Sequence, residues 1–126
     1  MVAGATLSAL FALLIATHIS VIVAASNITE PNVAFEMMWQ LHAAIFGLAM
    51  PALGLTFIGT ALATHASGLT KPWQRIIGIV GGSLPIISGF GNLGIATGSP
   101  FLYIGVFGLF SWLIWLTITG IRLIRG

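Results

Sequence analysis

Cysteine is absent from this chain and charge nearly so: its 126 residues hold four basic and two acidic side chains. Without thiols there are no disulfides, no thiolate metal sites, no Cys-x-x-Cys redox chemistry and no covalent attachment of a c-type haem. With 5% charged residues the chain cannot present the mixed, charged surface of a water-soluble domain. The four bases form no stripe and no Arg-rich run, so the isoelectric point near 10 does not describe a nucleic-acid binder. No HExxH motif and no carboxylate-bridged pair offers a metal site. Linkers and fixed-period repeats are missing as well, and residues 1–126 read as a single domain.

What the chain has instead is apolar bulk. Hydrophobic residues make up 58% of it and the mean hydropathy is +1.12, which assigns it to a bilayer. A spanning helix needs about 20 mostly apolar residues. Hydropathy divides the sequence into four such segments, at about 5–25, 33–63, 75–97 and 101–123. The second is longer than the hydrocarbon requires, so its first turns stand in the interface or the helix tilts, and Pro51 is placed to kink it. The connections are short: the polar patch 26–32, the turn-rich 65–72, and "TGSP" at 97–100. Connections of this length make successive helices antiparallel. The expected fold is all-α, an integral membrane four-helix bundle of up-down-up-down topology. The first segment is read as a permanent span and not as a secretory signal, because no positive residue precedes it and its apolar run exceeds an ordinary signal-peptide core.

Lys71 and Arg75 flank the second connection, and Arg122 and Arg125 stand at the end of the fourth segment. In a four-span chain these positions share one side of the membrane. Glu30 and Glu36 belong to the other. The positive-inside rule then places both termini and the second connection in the cytoplasm, as expected of a multi-pass protein of the cytoplasmic membrane. A cysteine introduced at Thr29 is expected to react with an impermeant thiol reagent from outside, whereas one at Gly68 is not; the reverse pattern would invert the assignment. Trp39 and Tyr103 mark the outer interface and Trp73 the inner one.

Lipid tails are as apolar as the side chains they touch, so membrane helices associate through close backbone approach and hydrogen bonds. The third segment carries Gly78, Gly81, Gly82, Gly89 and Gly91 around Pro85 and is the expected crowded helix of the bundle. The fourth, with Phe107, Phe110, Trp112 and Trp115, is expected to face lipid or a partner.

Two histidines interrupt this apolar pattern. His18 lies eight residues before Ser26 and His42 ten residues after Asn32, or about 12 to 15 Å from the outer connection at 1.5 Å per residue. An imidazole at that depth must hydrogen-bond, titrate or bind a metal. Two at matched depth on adjacent helices are placed to take both axial positions of one haem iron, with the macrocycle between the helices. His18 and His42 are therefore the candidate metal ligands, and haem b the expected cofactor. Two other readings stay open. Each histidine ligates the magnesium of its own (bacterio)chlorophyll, or each bonds a nearby group such as Thr17 or Ser20 and no cofactor is held.

Gln40, Asn92 and Tyr103 belong to the same outer half, as candidate cofactor-binding residues that bond haem propionates, ring nitrogens or a quinone carbonyl, or else serve as interhelical glue. Met38 shares a face with His42 at i, i+4, where its thioether is expected to pack against the ring and not to make a copper site. Glu36 complements the helix macrodipole near a helix start. His65 belongs to the opposite end and is left out of the site.

The general arrangement is similar to the small haem-b membrane subunits that anchor respiratory enzymes and pass electrons between a peripheral partner and quinone. That resemblance implies a subunit of a larger electron-transfer complex, not an enzyme by itself, with the bilayer, neighbouring membrane subunits and quinone as partners. A cofactor-free accessory subunit and a (bacterio)chlorophyll-binding antenna subunit are the alternatives. Transport ranks lower, since the sequence shows no buried charge pair and no broken-helix repeat.

Overall fold

The computed structural model describes residues 2–25, 33–91 and 99–125. Within them the chain forms four helices and no strand: α1 (Val2–Ala25), α2 (Val33–Ala66), α3 (Pro72–Phe90) and α4 (Phe101–Arg125). Three of these, α1, α2 and α4, are long and apolar enough to cross a membrane. The shorter α3 is diluted by glycine, serine and proline and opens with Gln74 and Arg75 in its first turns.

The expected third segment, 75–97, departs most from what is found. The helix begins at Pro72, whose missing N–H falls where a helix has no use for one. The Lys71 N–H donates to Gln74 Oε1 at 2.8 Å and so closes the start. At the other end the Gly91 N–H turns back onto the Ser88 carbonyl at 3.0 Å. Residues 92–97, and Asn92 with them, lie outside the described residues.

Facing residues mark the seams between neighbouring helices. Gly4 faces Thr56 and His18 meets His42 between α1 and α2. Pro51 packs at Gly89, Gly54 at Gly82 and Ala61 at Gly78 between α2 and α3. Ser88 stands against Gly105, and Pro85 against Gly108, between α3 and α4. The glycine-rich helix is thus sandwiched between two others, and missing side chains are the reason: a β-carbon at Gly82 would stand 2.6 Å from Ile58 Cγ1 and 2.8 Å from the Gly54 carbonyl oxygen. Helix α1 is different. Among the described residues its backbone runs beside α2 alone, and only its Leu7 and Val21 are buried.

Two small cores hold the helices together. Leu7, Met50, Ala52 and Leu53 form one, closed by Leu109 and Trp112; Phe57, Ala61 and Trp115 form the other. Here the expectation for the fourth helix needs correcting. Phe107 and Phe110 are exposed, but Trp115 is only 2% exposed. Its ring meets Phe57 edge-on, with centroids 5.6 Å apart, and its Nε1–H donates to the Gln74 carbonyl at 2.9 Å. An indole carries a polar N–H that needs a partner away from water, and the first turn of α3 supplies one.

Candidate functional site

Gly4 and Thr56 are equidistant in sequence from residue 30, and so are His18 and His42. One antiparallel register between α1 and α2 therefore brings both pairs together. His18 Nδ1 and His42 Nε2 stand 3.1 Å apart, at hydrogen-bonding distance, with ring centroids 4.9 Å apart and planes at 73°. Trp39, three residues before His42, stacks on that ring at 5.3 Å and 16°; residues at this spacing lie on one helix face. His42 is half-buried between an indole and an imidazole, whereas His18 is exposed at the edge of the α1–α2 seam.

One proton lies between the two nitrogens, so with both rings neutral one donates and the other accepts. If His18 Nδ1–H is the donor, His18 Nε2 keeps a lone pair on the exposed ring. In the opposite arrangement the free lone pair is His42 Nδ1, on the ring enclosed by Trp39. Neither of these nitrogens has a hydrogen-bond partner among the described residues.

A haem shared between the rings does not fit this arrangement. With metal–imidazole bonds of about 2 Å, two axial nitrogens on one iron stand about 4 Å apart with the macrocycle between them. Here the nitrogens touch. With the rings in hydrogen-bonding contact there is no space between their nitrogens for an iron and its macrocycle. A single ligand from the pair does fit: the ring that ligates through one nitrogen is held by the bond at its other nitrogen, as in most metal-binding histidines.

The remaining candidates stand apart from the pair. Neither imidazole is hydrogen-bonded to Gln40 or Tyr103 among the described residues, and Tyr103 is 66% exposed on α4. Gln40 lines a separate cleft of about 590 Å³ with Glu36, Met37 and Met38. Thr17 and Ser20 donate to the carbonyls of Leu14 and Ala16, at 2.8 and 2.9 Å, and leave the imidazoles to each other. His65 Nδ1 lies 3.1 Å from the Thr70 carbonyl at the far end of α2. Sequence reasoning missed Trp39 as a member of the site. Its signal is the i, i+3 spacing to His42, which the reading as an interface anchor overlooked. No cluster of three or more His, Cys, Asp or Glu side chains suited to a metal occurs among the described residues.

Comparison with protein families, with curated proteins and with solved structures finds no match.

Proposed function

We propose that the chain is a small subunit of a larger membrane electron-transfer complex, and that His18 Nε2 would hold a metal-centred tetrapyrrole at its outer face. The observation that carries this is the 3.1 Å contact between His18 Nδ1 and His42 Nε2. A hydrogen bond at the second ring nitrogen sets the tautomer of a ligating histidine and raises its basicity. In this reading His42 accepts the His18 Nδ1–H, and stacking on Trp39 keeps His42 from turning away. A bound haem b would supply one-electron chemistry, and a (bacterio)chlorophyll light absorption. The residues of this chain orient the ligating nitrogen and, in the neutral ring, set the tautomer that leaves its lone pair free. With His18 exposed at an edge, a partner subunit would supply the rest of the cofactor's surroundings.

The up-down-up-down topology with both termini in the cytoplasm belongs to the same proposal. It rests on Lys71, Arg75, Arg122 and Arg125 sharing one side, and it puts the histidine pair in the outer half of the membrane. Quinone is a candidate partner of the assembled complex.

A second reading, a cofactor-free accessory subunit, is favoured by one feature of the same pair: the two imidazoles already hydrogen-bond each other across the helices. In that case the pair pins α1 to α2. An absorption spectrum of the complex purified from native membranes separates the two. A reduced-minus-oxidised haem difference or chlorophyll bands would support the first, and a featureless visible spectrum would leave the second.

A further inference from the structure

The end of the bundle opposite the histidines collects charge of a single sign. Lys71, Arg75, Arg122 and Arg125 all belong there, whereas the two acids of the sequence are Glu30 and Glu36, the latter in the first turn of α2 at the other end. Of these bases, Arg122 lines a cavity. The cavity holds about 370 Å³ between the α2–α3 connection and the last turns of α4, and its walls are Gly68, Leu69, Arg122 and Leu123.

The chemistry of this wall is unbalanced. Arg122 Nη1 reaches Gln74 Oε1 at 3.4 Å, but that oxygen already accepts the Lys71 N–H at 2.8 Å. A guanidinium carries five N–H donors, so most of its donors are left over. Close by, Gln74 Nε2 and Thr119 Oγ1 are buried without a hydrogen-bond partner; Thr119 lies one turn before Arg122 on α4. Gly68, at φ +77, turns the chain so that the backbone N–H groups of Gly68, Leu69 and Thr70 point back at the carbonyls of His65 and Thr64. They are unavailable to a ligand. The cavity thus offers one charged donor, Arg122, among two leucine side chains, Leu69 and Leu123.

We propose that this cavity binds one anionic phospholipid, with the phosphate against the Arg122 guanidinium and the adjoining chain along Leu69 and Leu123. A planar guanidinium matches a phosphate through paired N–H···O bonds. The leucine wall favours a lipid over a free anion, because inorganic phosphate leaves it uncovered. This site is independent of the histidine pair.

Native mass spectrometry of the protein released from nanodiscs of phosphatidylcholine and phosphatidylglycerol tests this. The wild-type chain is expected to retain phosphatidylglycerol in preference to phosphatidylcholine. Arg122→Gln is expected to lower that retention about tenfold, the loss of a charge-assisted hydrogen bond, while Arg125→Gln leaves it unchanged. Equal losses in both variants would point to general attraction by surface charge and overturn the site. Retention of both lipids alike would overturn the preference for an anionic lipid, and displacement of phosphatidylglycerol by inorganic phosphate alone would overturn the lipid assignment. Should Arg122→Gln fail to assemble, Leu123→Trp fills the cavity and keeps the charge; it is expected to lose the lipid too, and full retention there would sink the proposal.

Discussion

Replacing His18 with alanine is expected to abolish any haem or chlorophyll signal of the purified complex, because it removes the only nitrogen the proposed arrangement offers to a metal. His42→Ala is expected to do something different. The ligand stays but loses the acceptor 3.1 Å from its Nδ1, and removal of such an orienting partner typically costs about 10- to 100-fold in metal affinity. The signal should weaken and shift without vanishing. His65→Ala should leave the spectrum as it is, since that ring lies beside the Thr70 carbonyl at the other end of α2. Optical spectra of the three variants at matched protein concentration measure all of this. If His42→Ala abolishes the signal while His18→Ala only weakens it, the proton lies the other way and His42 Nδ1 is the ligand. Complete loss from either substitution, with two nitrogen ligands seen by electron paramagnetic resonance, would restore the shared haem and require α1 and α2 to part.

The glycines of the α2–α3 contact carry the second large effect. Gly82→Leu is expected to disrupt assembly outright, and Gly82→Ala to cost about 1–3 kcal/mol, the usual penalty for overfilling a packed site. The reason is what the added carbon meets: the Gly54 carbonyl oxygen at 2.8 Å belongs to backbone, which cannot swing aside as a side chain can. Gly54→Ala should behave alike, since its added carbon faces the Gly82 carbonyl. Gly59 and Gly120 are the controls. Nothing lies within 4 Å of a β-carbon at either, so alanine there should leave stability unchanged or raise it by up to about 1 kcal/mol. Elution in detergent and the midpoint of thermal unfolding report both. An unimpaired Gly82→Leu protein would mean that the α2–α3 seam is looser than described, and Leu113→Phe on the exposed face of α4 calibrates what a tolerated change looks like.

Part of the site is legible in the sequence. The two histidines stand out because so few polar side chains share their segments, and an antiparallel hairpin centred on residue 30 brings them level. Depth follows from counting residues along two helices of fixed rise. Facing does not. Whether two rings at one depth touch, part around a macrocycle or turn away depends on helix separation and side-chain rotamers, and here the two ring nitrogens stand 3.1 Å apart with nothing between them. Trp39 escapes notice for a related reason: an aromatic residue near a membrane surface has a ready explanation as an anchor, which hides its stacking role.

By itself the sequence determined the solvent, the helical content and the crowded helix, because each follows from a sum or a period along the chain: too little charge for water, apolar runs of spanning length, glycines concentrated around Pro85. Tertiary structure alone decided which residues share a surface. It put Trp115 inside by offering its N–H the Gln74 carbonyl, left α1 beside α2 alone among the described residues, and set His18 and His42 in contact at 3.1 Å. Hydropathy is a property of single residues and adds along a chain, whereas a contact is a property of two residues and is settled only when the backbones that carry them have found their separation.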